Sequence, residues 1–90
     1  MKLNDEFLIH KTDMGELLIP IGEESKKFHG IIKLNETGSI IAHLLEDNDL
    51  CIEDIYNHFF KEYPDDDKSL IKQGIDSFVK QLKDVNAIIL

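Results

Sequence analysis

The first third of the chain consists of short runs of apolar, β-branched and aromatic residues, separated by residues that favour turns. The runs cover residues 6–12 (EFLIHKT), 16–21 (ELLIPI) and 27–34 (KFHGIIKL). The segment DMG between the first two runs and the segment GEESK before the third are typical of turns. Pro20 cannot donate a ladder hydrogen bond, so the second run has one position without an N–H donor. The pattern predicts a three-stranded antiparallel meander.

From residue 35 onwards the apolar positions recur at the spacing of an α-helix. This periodicity predicts three helices, over residues 36–46, 52–63 and 67–84. Asn35 is a favourable N-cap for the first helix, Pro64 ends the second, and the aspartates at 65–67 suit the start of the third. Strands followed by helices predict an α+β fold, here a single domain over residues 1–90.

The composition is that of a globular protein. Hydrophobic residues make up 42% of the chain, whereas no apolar run approaches the roughly 20 residues that a membrane helix needs. Acidic residues stand near the N-terminus, where a signal peptide would have its apolar segment. The single cysteine, Cys51, cannot form an internal disulfide, which fits a reducing compartment. We therefore expect a cytoplasmic protein that does not associate with membranes.

The charges are unevenly distributed along the chain. The net charge is −8, which disfavours binding to nucleic acids and to anionic membranes. All ten basic residues are lysines, and seven of them lie within residues 26–33 and 68–83 together with a single acid, Asp76. These lysines fit either solvated surface charge or two basic rims of a binding site.

The residue types that carry out chemistry do not form a recognisable site. The four histidines (His10, His29, His43 and His58) show no metal-ligand spacing with one another or with Cys51. Cys51 stands at the start of the second predicted helix without further groups at the spacing of an activated nucleophile. The chain also has no glycine-rich phosphate loop and no paired carboxylates on an apolar background. The sequence therefore predicts a protein that is not an enzyme and that uses no metal and no cofactor.

The second and third predicted helices also fit a helix-turn-helix, and the preceding strands suggest its winged variant. In this alternative, the chain is a DNA-binding regulator whose third helix presents Lys68, Lys72 and Lys80 to DNA. The absence of arginine and the acidic turn PDDD argue against it, because arginine is the usual reader of guanine and DNA phosphates repel acids.

Residues 33–63 resemble a known family in the order of their small, apolar and acidic positions. The segment contains Leu34–Asn35 at a strand end, Thr37–Gly38 at a helix start, the pairs Ile40–Ile41 and Leu44–Leu45, and Ile52–Glu53–Asp54–Ile55 after an acidic break. This pattern resembles the PqqD family. Cys51 departs from it, because the family usually has Ser or Thr there, and the aromatic residue that is frequent in the family near positions 42 and 43 is missing.

The resemblance implies a precursor-peptide recognition element, a domain that serves the biosynthesis of ribosomally made, post-translationally modified peptides. Such a domain consists of a three-stranded sheet and three helices and is related to winged helix-turn-helix folds. The resemblance further implies that a leader peptide docks as an added antiparallel strand on the third strand, against the third helix. The modifying enzyme, often a radical S-adenosylmethionine protein in this family, would be a separate chain.

The peptide-binding residues are therefore expected on the third strand and the third helix. They are Lys27, Phe28, His29, Gly30, Ile31, Ile32 and Lys33 on the strand, and Lys68, Ile71, Lys72, Ile75, Phe78 and Val79 on the helix. Since both segments carry lysines, the leader is expected to be acidic with spaced apolar anchors. The sequence leaves open which alternate residues of the third strand face the groove.

Overall fold

The chain folds into a small sheet followed by a cluster of helices. The computed structural model describes residues 1–27 and 30–90. Within them the elements are, in chain order, β1 (Lys2–Leu3), β2 (Phe7–Thr12), β3 (Gly15–Pro20), α1 (Gly22–Lys27), β4 (Ile32–Leu34), α2 (Glu36–Asp47), α3 (Ile52–Glu62), α4 (Lys68–Asp84) and β5 (Ile88–Ile89). A three-stranded antiparallel sheet combined with helices confirms the α+β class expected from the sequence.

The main sheet has the strand order β2-β3-β4, and both strand pairs are antiparallel. β2 and β3 form a hairpin in which Thr12 pairs with Gly15 next to the turn. Gly15 has a φ of +119°, a conformation that glycine adopts without the steric cost of a side chain. β3 then pairs with β4 in a register that places Leu18 opposite Ile32. The expected meander is therefore present, with β4 at one of its edges.

The segment between β3 and β4 differs from what the sequence pattern predicts. Residues Gly22–Lys27, expected to form a turn and the start of the third strand, form the helix α1. Glutamates in its first turn and lysines in its last turn complement the helix dipole, and ion pairs three residues apart link the two turns. Gly30 has a φ of +82°, which interrupts an extended run. Of the described residues in the predicted strand 27–34, Lys27 is helical and Gly30 and Ile31 precede β4, so the prediction is wrong at these positions.

Two of the longer helices begin at side chains that accept hydrogen bonds from the first turn. Asn35 Oδ1 accepts from the Gly38 N–H at 2.7 Å at the start of α2. Asp67 Oδ1 accepts from the Ser69 N–H at 2.8 Å at the start of α4. These contacts satisfy donors that have no partner within the helix. The observed bounds of α2, α3 and α4 agree with the expected ones to within one residue.

A separate two-stranded sheet pairs β1 with β5 in antiparallel orientation. Leu3 lies opposite Ile88 in this pair, and both side chains are buried in the core. Asn86 precedes β5 with a φ of +63°, and its backbone N–H donates to the Lys83 carbonyl at 3.0 Å, which directs the chain out of α4. A strand of two residues is too short to give a periodic pattern in the sequence.

One apolar core joins the main sheet to the helices. Its largest fully buried side chains are Leu18, Ile41, Leu45, Ile55, Ile75 and Leu82. They come from β3, α2, α3 and α4, so the helices cover one face of the sheet. Among the described residues, no helix is both long enough and apolar enough to cross a membrane.

Candidate functional site

β4 presents a sheet edge that no other strand in the described part of the chain pairs with. Such an edge carries main-chain N–H and C=O groups in position to pair with an added strand. The edge is short, because the three residues Ile32–Leu34 span about 10 Å at the usual rise of ~3.4 Å per residue. β2 forms the opposite edge and is twice as long, with six residues.

Burial shows which residues of β4 face the core. Ile32 and Leu34 are buried, whereas Lys33 between them is exposed, as the alternation of a strand requires. Ile31, directly before β4, is 60% exposed. The structure thus answers the question of strand orientation: Ile32 and Leu34 face the helices, and Ile31 and Lys33 are accessible from outside.

The first residues of the expected third strand do not extend this edge. Lys27 is the last residue of α1, and its ammonium group pairs with an acid of the same helix at 3.1 Å. Gly30 adopts a positive φ and redirects the backbone. Phe28 and His29 lie outside the described residues. Residues 31–33 are therefore the part of the expected binding strand that the structure places at the edge.

The apolar residues expected to bind peptide from α4 differ in how accessible they are. Ile75 and Val79 are 0% and 3% exposed and belong to the core, so little of either side chain is accessible from outside. Ile71 and Phe78 are partly buried at the margin of the core. A Cβ atom added to Gly38 would lie 3.0 Å from the Phe78 ring. Phe78 therefore lies against the start of α2, which follows β4 after a single residue.

Lys68 and Lys72 lie on the flank of α4 that faces α3. The Lys68 ammonium group is 5.2 Å from the centroid of the Phe60 ring, and that of Lys72 is 5.1 Å from the centroid of the Tyr56 ring. Both are cation–π contacts. At 3.6 residues per turn, Lys72 is displaced from Phe78 by about 120° around the helix. The structure therefore places Lys72 away from the flank that Phe78 presents toward the end of β4, and it places the ammonium groups of both lysines over rings of α3.

The charges on the outer face of α3 and α4 have local partners. The Tyr56 hydroxyl donates a hydrogen bond to Asp76, and this bond raises the pKa of Tyr56 to about 12. Lys80 pairs with Asp84 at 3.0 Å. The bond between Tyr56 and Asp76, like the cation–π pairs, links α4 to α3, whereas the pair of Lys80 and Asp84 lies within α4.

A cavity of about 470 Å³ opens where α2, α3 and α4 meet. Phe59, Leu70, Ile71 and Ile75 form its apolar lining, and Gly74 is part of its wall. Leu70 is 64% exposed at this cavity, although the helical periodicity predicts an inward position. The sequence pattern does not predict the cavity. A usable signal was Gly74, because a glycine isolated within a helical pattern often has a packing or functional reason.

His43 connects α2 to the main sheet through an acidic partner. Its Nε2 lies 2.8 Å from Glu16 Oε2, and its Nδ1 lies 3.5 Å from Glu46 Oε1. The hydrogen bond with Glu16 raises the pKa of His43 and lowers the pKa of Glu16. No group of three or more His, Cys, Asp or Glu side chains within residues 1–27 and 30–90 could hold a metal ion. We therefore assign His43 to the contact between β3 and α2.

Cys51 stands at the start of α3. The Asp54 carboxylate accepts a hydrogen bond from the Cys51 backbone N–H at 3.1 Å and another from its thiol at 3.2 Å. The first bond is the reciprocal half of a capping box, which Asp54 supplies from the third helical position. Asp54 thus satisfies the N-cap backbone although the cap residue is a cysteine.

Comparisons with known proteins agree with this geometry. The family model described as coenzyme PQQ synthesis protein D (PqqD) matches residues 18–88, which include β4, α2, α3 and α4. The fold is also similar to a solved structure described as lasso peptide synthetase B1 complexed with the leader peptide. In that comparison the TM-score is 0.71 and the sequence identity is 24%, over 99% of this chain and 95% of that chain. A comparison with curated proteins gives no match.

Proposed function

Because the chain belongs to the PqqD family, we propose that it binds the leader of a ribosomally made precursor peptide and presents it to a separate modifying enzyme. The chain itself performs no catalysis in this proposal. The modifying enzyme is of the radical S-adenosylmethionine type and supplies the chemistry. The protein's task is to hold the peptide in an extended conformation and to select it by sequence.

The observation that carries the proposal is the open edge of β4 beside Phe78. A peptide that adds to this edge as an antiparallel strand would continue the main sheet, and its alternate side chains would point toward the helices. The flank of α4 that holds Phe78 and Ile71 would then receive the inward side chains. The similar solved structure is described as a complex with a leader peptide, which supports a leader peptide as the ligand.

The short length of β4 determines where the affinity comes from. Three residues offer main-chain groups for only a few hydrogen bonds, and each contributes a net of about 0.5–1.5 kcal/mol. Ordering a flexible peptide costs about 1–2 kcal/mol per residue. The backbone bonds therefore set orientation, and apolar anchors on alternate peptide residues supply most of the affinity.

The structure changes the argument for an acidic leader. Lys33 is exposed on β4 itself, whereas Lys68 and Lys72 lie over aromatic rings of α3. We therefore propose that Lys33 exerts the preference for acidic residues in the leader. An exposed pair contributes about 0.2–1 kcal/mol, so its main effect is on the rate of association.

A selection with random peptides tests the proposal and does not require the natural leader. The protein is immobilised, a display library of random peptides is enriched on it, and the affinity of an enriched peptide is measured by fluorescence anisotropy. We expect Ile31→Pro to weaken that affinity by at least about tenfold, because proline removes an N–H and its ring obstructs a strand at this edge. The matched variant Ile31→Ala keeps the N–H and should lose much less.

Circular dichroism must show that both variants are folded. Equal affinity of the wild type and Ile31→Pro for the enriched peptide would contradict docking on β4. If no peptide is enriched and duplex DNA binds with a steep salt dependence, the DNA-binding alternative replaces the proposal.

A further inference from the structure

Two glycines within helices have different reasons to be there. Glycine inside a helix costs about 0.5–1 kcal/mol relative to alanine, so each needs an explanation. In α2, a Cβ atom at Gly38 would lie 3.0 Å from the Phe78 ring and 3.2 Å from Asn35 Oδ1, so close packing requires glycine. In α4, a Cβ atom at Gly74 would have no atom within 4 Å. Packing within the described chain therefore does not explain Gly74.

Gly74 is part of the wall of the 470 Å³ cavity between α2, α3 and α4. A larger residue at this position would project into the cavity instead of into the core. Leu70 stands one turn earlier on the same side of α4 and leaves 64% of its surface exposed. A ligand that covers this leucine together with the apolar residues of the cavity would remove their surface from water, which is favourable. Gly74 thus keeps open a space that suits an apolar group.

The mouth of the cavity is acidic. The charged side chains that line it in the described part of the chain are Glu36, Asp66 and Asp67. Asp67 accepts hydrogen bonds from the first turn of α4, whereas Glu36 and Asp66 are exposed. A positively charged group next to an apolar group would complement this arrangement.

The cavity lies near the end of β4. Glu36 and Thr37 line it, and Asn35 alone separates Glu36 from the last residue of β4. Phe78 stands one turn along α4 from Gly74 and packs against the start of α2. A peptide that pairs antiparallel with β4 and continues past the end of β4 would reach the cavity with its N-terminal residues, because the two strands run in opposite directions.

We propose that this cavity is a specificity pocket for the bound peptide. It takes an aromatic or branched aliphatic side chain from the residues that precede the paired segment, and Glu36 and Asp66 bind a neighbouring lysine or arginine. The volume falls within the range of about 300–1,000 Å³ that is usual for ligand sites. The proposal rests on the proposed function and deepens it, because it assigns a second, chemically different part to the recognised peptide: an apolar-basic element at the N-terminal end.

Gly74→Leu provides a test in which loss of binding cannot be attributed to unfolding. Leucine is a better helix former than glycine and would fill open space, so the variant should be at least as stable as the wild type. Its matched control is Gln73→Leu, which adds the same side chain at the neighbouring exposed position outside the cavity lining. Peptides are enriched from the random library on the wild type and on both variants.

The wild type and Gln73→Leu should enrich peptides with an apolar residue next to a lysine or arginine on the N-terminal side of the paired segment. Gly74→Leu should lose the preference for the apolar residue and bind the wild-type peptides at least about tenfold more weakly. The double variant Glu36→Gln/Asp66→Asn should lose the preference for the basic residue and keep that for the apolar one.

The outcomes separate this proposal from the proposed function. If enriched peptides depend on β4 but Gly74→Leu binds them as the wild type does, the pocket assignment is wrong and docking on β4 stands. If Gly74→Leu loses binding while Ile31→Pro does not, the cavity binds peptide and strand addition is wrong. Enrichment of acidic peptides alone, unchanged by Glu36→Gln/Asp66→Asn, would contradict the assignment of a basic residue.

Discussion

The two helix glycines should respond in opposite directions to the same substitution. We expect Gly74→Ala in α4 to stabilise the fold and Gly38→Ala in α2 to destabilise it. The change in intrinsic helix propensity is the same at both sites, about 0.5–1 kcal/mol in favour of alanine. The surroundings of the added Cβ atom therefore decide the sign at each position.

At Gly74 the added methyl group meets no atom within 4 Å. The propensity gain should therefore appear undiminished, as an increase of about 0.5–1 kcal/mol in the free energy of unfolding. For a domain of this size, one kcal/mol corresponds to a shift of roughly 4–8 °C in the melting temperature, so we expect an increase of about 2–8 °C for Gly74→Ala.

At Gly38 the methyl group meets the Phe78 ring at 3.0 Å and Asn35 Oδ1 at 3.2 Å. Overpacking of this kind costs about 1–3 kcal/mol. If the Asn35 side chain is displaced, the loss of its N-cap hydrogen bond costs about 1 kcal/mol more. These costs exceed the gain in propensity, so we expect a net loss of about 1–2 kcal/mol.

Urea unfolding followed by circular dichroism measures both changes. The comparison requires that the free energy of unfolding falls with urea concentration at the same slope in the variants and in the wild type. A stabilised Gly38→Ala would show that the contact between α2 and Phe78 is looser than described. A destabilised Gly74→Ala would show that another part of the molecule fills the cavity, and it would remove the reason for assigning a pocket there.

Asn35→Ala should lower the free energy of unfolding by about 1 kcal/mol, because α2 loses the hydrogen bond from the Gly38 N–H to the capping side chain. Urea unfolding measures this change. The pKa of His43 is raised above its usual 6.5, mainly by its hydrogen bond with Glu16. The stabilisation that His43 gains from this bond should therefore be complete below pH 6.5 and disappear as the pH rises through the raised pKa. The free energy of unfolding, measured across this pH range, should fall less for His43→Gln than for the wild type. Asp76→Asn should lower the pKa of Tyr56 from about 12 toward 10, as measured by ultraviolet titration of the phenol. An unchanged phenol titration would exclude the bond between Tyr56 and Asp76 in solution.

The sequence predicts the hairpin and the three longer helices well, because each has a strong local signal. Short apolar runs bounded by turn residues mark β2 and β3, and 3.6-residue periodicity with caps such as Asn35 and Asp67 marks the helices. The family match over residues 18–88 also confirms the resemblance that residues 33–63 carry. The prediction failed at residues 22–27, where the ion pairs of α1 stabilise a helix in place of the expected turn and strand start, and at Gly30, whose positive φ interrupts the expected strand.

The candidate site was harder to predict because it depends on how elements pack. Periodicity identifies the apolar stripe of α4 but not which neighbour lies on each side of it. The sequence therefore does not reveal that Ile75 and Val79 are buried, or that the Lys72 ammonium group lies over a ring of α3. The cavity beside Gly74 is formed by three helices, and no single segment encodes it.

The central claim is that a peptide pairs with the edge of β4. Residue-resolved amide hydrogen exchange, measured by NMR with and without a saturating enriched peptide, tests it most directly. We expect alternate amides within residues 31–34 to become protected on binding, because their N–H groups point away from β3 and gain a partner. Amides on the outer edge of β2, such as those of Ile9 and Lys11, should not change. Protection confined to β2, or saturating binding with no new protection on β4, would contradict strand addition at this edge.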